Sequence, residues 1–131
     1  MRVFKGPVIR EQLSQTELAA LENDFRHYKS TGVLPDTFGR DVLYDHPHTL
    51  PIVRTEAIKH IHLASADKLW ERGTAQYRRT SDVHLVYCEG ALIEGVYLLI
   101  AILSPDAHEQ ARRNDIMYKL GVTAEKFRGQ F

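Results

Sequence analysis

Lys59-His60-Ile61-His62-Leu63-Ala64 reads as a β-strand, and Val83-His84-Leu85-Val86-Tyr87-Cys88 reads as a second one. Side chains alternate along a strand, so His60 and His62 share one face while Ile61 and Leu63 take the other. A sheet built from such strands has an apolar core face and a second face that carries imidazoles. Histidine titrates near neutral pH and passes protons in either direction, which makes that second face a candidate working face.

Reading outward in both directions gives the rest of the fold. Val3-Phe4 and Val8-Ile9, split by Gly6-Pro7, predict a short opening strand. Ser14-Gln15-Thr16-Glu17 has the form of a capping box, Leu18, Leu21, Phe25 and Tyr28 follow at helical spacing, and Gly32 suits a C-cap. Residues 34–55 hold Pro35, Gly39, Pro47 and Pro51 and are expected to be irregular, with one brief helix within Phe38–Asp45. The first clear strand is Ala57–Ala64. A polar, irregular stretch, Ser65–Ser81, leads to strands at Val83–Glu89 and Gly95–Leu103. Ser104, Pro105 and Asp106 predict a helix start, with the helix running to about Leu120, stopping at Gly121 and restarting at Thr123. Strands and helices that segregate along the chain indicate an α+β fold, a small antiparallel sheet packed against helices.

The bulk properties narrow the function. At 131 residues, 44% hydrophobic and 26% charged, the chain is expected to be a single domain, residues 1–131, with one core. Its longest apolar run, Val96–Leu103, is far short of a membrane span, and Met1-Arg2-Val3-Phe4-Lys5 lacks the apolar segment of a secretory signal, so a cytoplasmic location is expected. Cys88 is the sole cysteine, so no internal disulfide forms. Seventeen Lys and Arg balance seventeen Asp and Glu. A free-standing nucleic-acid binder ordinarily carries a basic excess. If this chain acts on nucleic acid, a local basic patch or a larger partner must deliver the substrate.

Several stretches then resemble, in one order, the YafO-type toxins of type II toxin–antitoxin systems. They are Met1-Arg2-Val3-Phe4-Lys5, Gly32-Val33-Leu34-Pro35-Asp36, Phe38-Gly39-Arg40-Asp41 and Leu43-Tyr44-Asp45. The two histidine-bearing strands, Leu98-Leu99-Ile100-Ala101-Ile102-Leu103, and the ending in Phe127-Arg128 and Phe131 continue the series. The resemblance implies a ribosome-dependent mRNA interferase of the RelE superfamily, with a RelE-like fold, no metal and no cofactor. It also implies a cognate antitoxin, the ribosome and mRNA as partners. Arg78–Tyr87 is similar to a stretch of the YoeB toxins of that superfamily, in which a catalytic arginine stands where this chain has His84. The histidine–tyrosine ending of those toxins is replaced here by Ser104-Pro105 and a helix. Their catalytic set therefore does not transfer, and the residue assignments rest on the strands.

RNA cleavage without metal uses the ribose 2′-hydroxyl as nucleophile. The protein must take its proton, stabilise the crowded phosphate and protonate the leaving 5′ oxygen. Each proton transfer is worth roughly 10²–10⁴-fold in rate. Two of His60, His62 and His84 are the candidate base and acid. Arg40, Lys59, Arg78 and Arg79 are the candidate RNA-binding residues, arginine being favoured because its planar fork meets two phosphate oxygens at once.

Plainer roles stand beside these. His27 and His108 are expected on helix surfaces, and His46 and His48 flank Pro47 in a loop. Arg112 and Arg113, offset by Glu109 and Asp115, read as a solvated face, while Cys88, Trp70 and Tyr87 read as packing residues. Two rival functions share the same residues. His60, His62 and His84 could form a three-histidine metal site of a metal-dependent hydrolase, or the chain could block ribosomes without cutting. An antitoxin segment that orders on binding has a candidate dock in the apolar and basic surface around Phe127 and Phe131.

Overall fold

A computed structural model describes residues 1–65, 67 and 69–131. It contains β1 (Arg2–Lys5), α1 (Pro7–Gln12), α2 (Gln15–Thr31), β2 (Phe38–Leu43), α3 (Pro51–Thr55) and β3 (Lys59–Leu63). These are followed by β4 (His84–Glu89), β5 (Val96–Leu103), α4 (Ala107–Ala111) and α5 (Asn114–Arg128). The fold is α+β, with one five-stranded sheet in the order β1-β5-β4-β3-β2. β2 through β5 pair antiparallel, but β1 lies parallel to β5, so the sheet is mixed rather than antiparallel throughout. Ala66 and Lys68, inside the stretch expected to be irregular, lie outside the described residues. Among the described residues no helix is long and apolar enough to cross a membrane.

Local chemistry explains where these elements begin and end. Ser14 caps α2 by accepting from the Glu17 N–H, and the Glu17 carboxylate accepts from the Ser14 N–H, so the predicted capping box forms. Gly32 closes α2 as its C-cap. Val8-Ile9 does not extend the opening strand. Pro7 starts a helix there, where its missing N–H is no loss, and Ile9 is fully buried. Phe38–Leu43 is a strand and not a brief helix, because it pairs with β3 from Phe38↔Leu63 to Leu43↔Lys59. Gly39 permits this: a Cβ there would stand 2.8 Å from the Arg79 Cβ and 2.9 Å from the Trp70 ring. The helix expected from Ser104 starts instead at Ala107, with Asp106 as N-cap, and α5 follows as a separate helix. Gly121 does not end α5. It lies buried inside the helix, where a Cβ would meet Ile52 of α3 at 2.6 Å, so this glycine serves helix packing.

Both faces of the sheet carry a core. Val3, Ile9, Leu18, Phe25, Phe38, Ile61, Leu85, Tyr87 and Leu99 pack under α1 and α2. Val53, Ile58, Val86, Cys88, Ile100, Met117, Leu120, Ala124 and Phe127 pack under α3, α4 and α5. The expectation of one apolar face and one open working face is therefore corrected. The histidines belong to the second face, at the end of its helical layer. Phe127 is core, and Phe131 is half-buried against Phe4 with ring centroids 5.2 Å apart. The rings of Phe4, Phe127 and Phe131 thus pack on one another at the end of this layer.

Candidate active site

Register brings the three strand histidines together. β3 and β4 pair with His62 opposite His84 and His60 opposite Val86, so all three imidazoles leave the same face. Their ring centroids are 4.5 Å apart for His60–His84, 4.4 Å for His62–His84 and 5.2 Å for His60–His62. They are 7%, 3% and 1% exposed for His60, His62 and His84. Such burial is unusual for histidine, and it places three ring systems in one low-dielectric spot.

Neighbours fix the rings. Tyr44, just beyond β2, stacks on His60 at 3.9 Å with an interplanar angle of 12°. The Tyr44 hydroxyl meets His84 Nδ1 at 2.9 Å. His62 Nδ1 faces both the Ser81 N–H, at 2.8 Å, and the Ser81 carbonyl oxygen, at 2.9 Å. Among the described residues, the buried side-chain atoms without a hydrogen-bond partner are His60 Nδ1, His84 Nε2 and Trp70 Nε1. Two of these belong to the cluster. One donor atom from each of His60, His62 and His84 lies within 4.8 Å of the others, so these residues could hold a metal ion.

Electrostatics make the cluster neutral at physiological pH. Burial, followed by charge on His84 and His62, pushes His60 down to about 2. Burial, followed by charge on His62 and His108, pushes His84 down to about 3. His62 is lowered as well, burial outweighing the Ser81 contact that favours its charged form. Burial raises the Tyr44 phenol, which stays a neutral hydroxyl.

The cluster opens to solvent through two adjoining hollows. One, of about 540 Å³, is lined by Tyr44, His46, His48, His60, His84, His108 and Arg112 among others. The second, of about 530 Å³, adds Arg40, Asp45, His62 and Thr80. His108, expected as an ordinary surface residue, stands at their junction with its ring 5.2 Å from that of His84. Asp82 holds it there: Asp82 Oδ1 is 2.7 Å from His108 Nδ1 and accepts the His108 backbone N–H at 3.0 Å. These contacts, the backbone N–H foremost, keep the Asp82 carboxyl below its usual range. His46 and His48 form part of the rim, with rings 5.2 Å apart.

The four candidate RNA-binding residues separate. Arg40 lines the second hollow, its guanidinium 4.0 Å over the Tyr77 ring and its Nε donating to the Tyr77 carbonyl. Arg78 is exposed in a different hollow of about 490 Å³ beside Trp70. Arg79 is spent on the Thr74 and Phe38 carbonyls. Lys59 pairs in register with Tyr87 and Leu43, on the opposite face, where its Nζ is 3.9 Å from Asp41 Oδ1. The structure thus brings Arg40 alone of the four to the histidines. Sequence reasoning missed Tyr44, Asp82 and His108 as partners of the cluster. The one signal for Asp82 was its place two residues before His84; nothing in sequence tied Tyr44 or His108 to the strands.

The family described as "Toxin YafO, type II toxin-antitoxin system" matches residues 26–129. The mRNA interferase toxin YafO of Escherichia coli (strain K12) is 52% identical over 132 residues, covering 100% of this chain and 100% of that protein. No solved structure matches.

Proposed function

Because the chain belongs to the YafO toxin family of type II toxin–antitoxin systems, we propose that it is an endoribonuclease that cuts mRNA on translating ribosomes, in the cytoplasm, as a single domain neutralised by a cognate antitoxin. The observation that carries the site assignment is the convergence of three buried imidazoles, two of them with an unpartnered nitrogen, beside an open groove. The formal charge balance supports the dependence on ribosomes. With Arg40 and Arg112 as the cations lining the two hollows, the protein itself offers a small phosphate grip, and the ribosome supplies the bound, extended message.

Transesterification fits the groups in place and needs no metal. A neutral imidazole, His60 or His84, accepts the 2′-hydroxyl proton. The 2′ oxygen attacks phosphorus, the P–O5′ bond breaks, and His62, protonated from solvent once the phosphate's negative charge stands beside it, gives that proton to the departing 5′ oxygen. The fragments carry a 2′,3′-cyclic phosphate and a 5′-hydroxyl. Burial alone makes these rings poor proton carriers. An arriving phosphate places negative charge beside them, raises their proton affinity and so readies the cluster when substrate is present. Arg40 is the group placed to neutralise charge on the phosphate oxygens.

The test is a cell-free translation reaction in which mRNA 5′ ends are mapped for wild type and His84→Ala, with and without active ribosomes. Discrete cuts confined to translated message, lost in the variant, are expected. Halted translation with intact message would instead identify a non-cleaving inhibitor. Cutting of ribosome-free RNA that EDTA abolishes would identify a metal-dependent hydrolase.

A further inference from the structure

We propose that His60, His62 and His84 also form a binding site for one borderline-soft divalent cation of the zinc type, and that occupying it shuts off RNA cleavage. The binding half stands on the cluster alone; the inhibition half rests on the acid–base reading above.

Zinc takes neutral imidazole nitrogens at about 2.0–2.1 Å, and three protein ligands leave a fourth position open. The cluster offers three imidazoles with donor atoms within 4.8 Å of one another. Tetrahedral ligation asks those donors to close to roughly 3.4 Å, which side-chain rotation on two neighbouring strands can deliver. A metal-bound histidine ordinarily donates its other ring N–H to an oxygen, and that outer contact fixes which nitrogen binds. One such contact is in place: His84 Nδ1 lies 2.9 Å from the Tyr44 hydroxyl, which leaves its Nε2 for a ligand. His62 Nδ1 lies 2.8 Å from the Ser81 N–H and 2.9 Å from the Ser81 carbonyl oxygen, and ligation through its Nε2 takes the tautomer that donates to the carbonyl. His84 Nε2 and His60 Nδ1 are buried with no partner. An unpaired buried nitrogen is unfavourable to folding, and a shared cation satisfies both at once. His60 and His84 also line the hollow that His108 borders, which adjoins the cluster.

A cation held there takes the lone pairs that would accept the 2′-hydroxyl proton. It also occupies the point where the phosphate must sit. Imidazole ligation favours zinc, copper or nickel over magnesium or calcium, which prefer oxygen. The magnesium that ribosomes require therefore leaves the site free.

Purified protein would be titrated with ZnCl₂ by calorimetry, and with CoCl₂ by visible absorption, since cobalt reports ligand type and geometry. One equivalent of each is expected to bind, with a tetrahedral, nitrogen-ligated cobalt spectrum. Outer-shell losses cost about 10–100-fold in metal affinity. Tyr44→Phe, which keeps the ring stacked on His60, is accordingly expected to weaken zinc by about 10-fold, and His60→Ala or His84→Ala by at least about 100-fold. In the translation reaction, equimolar zinc is expected to suppress cleavage at least about 10-fold, and a zinc-selective chelator to restore it. Absence of a single-site titration in wild-type protein that still cleaves overturns the metal site and leaves the acid–base reading standing. Stoichiometric binding that leaves cleavage unchanged, or accelerates it, overturns the inhibition. Stoichiometric binding in a protein that never cuts message supports the site and overturns the inhibition together with the acid–base reading.

Discussion

Two polar centres lie back to back on strands β2 to β4, and they are built in opposite ways. On the α2 face, Asp41 is 6% exposed at its side chain and surrounded by donors: Tyr87 Oη at 2.6 Å, Tyr28 Oη at 2.9 Å and Lys29 Nζ at 3.3 Å. Lys29 also donates to the Tyr87 hydroxyl, and Gln76 donates to that of Tyr28. Burial raises Tyr28 to about 12 and raises Tyr87 as well, so both stay protonated and donate to the carboxylate. On the other face, the histidines are buried as deeply and yet leave two nitrogens unpaired. A satisfied buried network locks strands to a helix; a buried group left unsatisfied forgoes about 1–3 kcal/mol. The contrast separates a structural knot from a site awaiting a ligand.

The largest break in that contrast should come from His84→Ala. Loss of a proton-transfer group is expected to lower cleavage by about 10²–10⁴-fold, read as mRNA 5′ ends, with the urea midpoint moving far less than activity. Asp41→Ala should do the reverse. It strands Lys29 in a half-buried setting and is expected to cost about 3 kcal/mol in urea denaturation, while cleavage per folded molecule stays within about twofold.

The pH response sharpens the comparison further. Above the ordinary histidine value of 6.5 neither the folded nor the unfolded chain protonates these rings. Below it the unfolded chain takes up protons that His60 and His84 refuse until about 2 and about 3. The unfolded state then binds more protons, so stability falls with falling pH. Each histidine contributes at most about 1.4 kcal/mol per pH unit, or about 2 kcal/mol between pH 6.5 and 5. Denaturation at pH 7, 6 and 5 should show this slope, and His84→Ala should flatten it by about one proton.

Tyr44→Phe is expected to reduce cleavage by about tenfold, since it frees His84 Nδ1 while keeping the ring on His60. The smallest effect belongs to Lys59→Ala. Lys59 sits on the Asp41 face, and cleavage should change by less than about twofold if the faces act separately. A loss comparable to that of His84→Ala would show that the two centres work as one.

Much of the fold was legible because its signals are local. The Ser14–Glu17 box, the Leu18–Phe25 stripe and the β3, β4 and β5 runs carry their own capping, spacing and alternation. What misled were residues whose meaning depends on distant partners. Gly121 reads as a helix stop, yet it is small because Ile52 presses against it. Gly39 reads as a breaker, yet it admits Arg79 and Trp70 beside a strand.

For the site, alternation along β3 by itself placed His60 and His62 on one face, and the near-neutral titration of imidazole marked that face as chemical. That His84 joins them is a matter of register between two strands, which no property of either strand alone dictates. Burial, the lowered proton affinities, the Tyr44 and Asp82 supports and the arrival of His108 all followed from packing. The exile of Lys59 to the opposite face follows from alternation along β3 alone, as it does for Ile61 and Leu63. Sequence thus determined which chemistry the chain carries, because side-chain type and local spacing are written in it. Tertiary structure decided which of those groups meet and in what charge state, because distance and solvent exclusion arise only when separate elements close on one another.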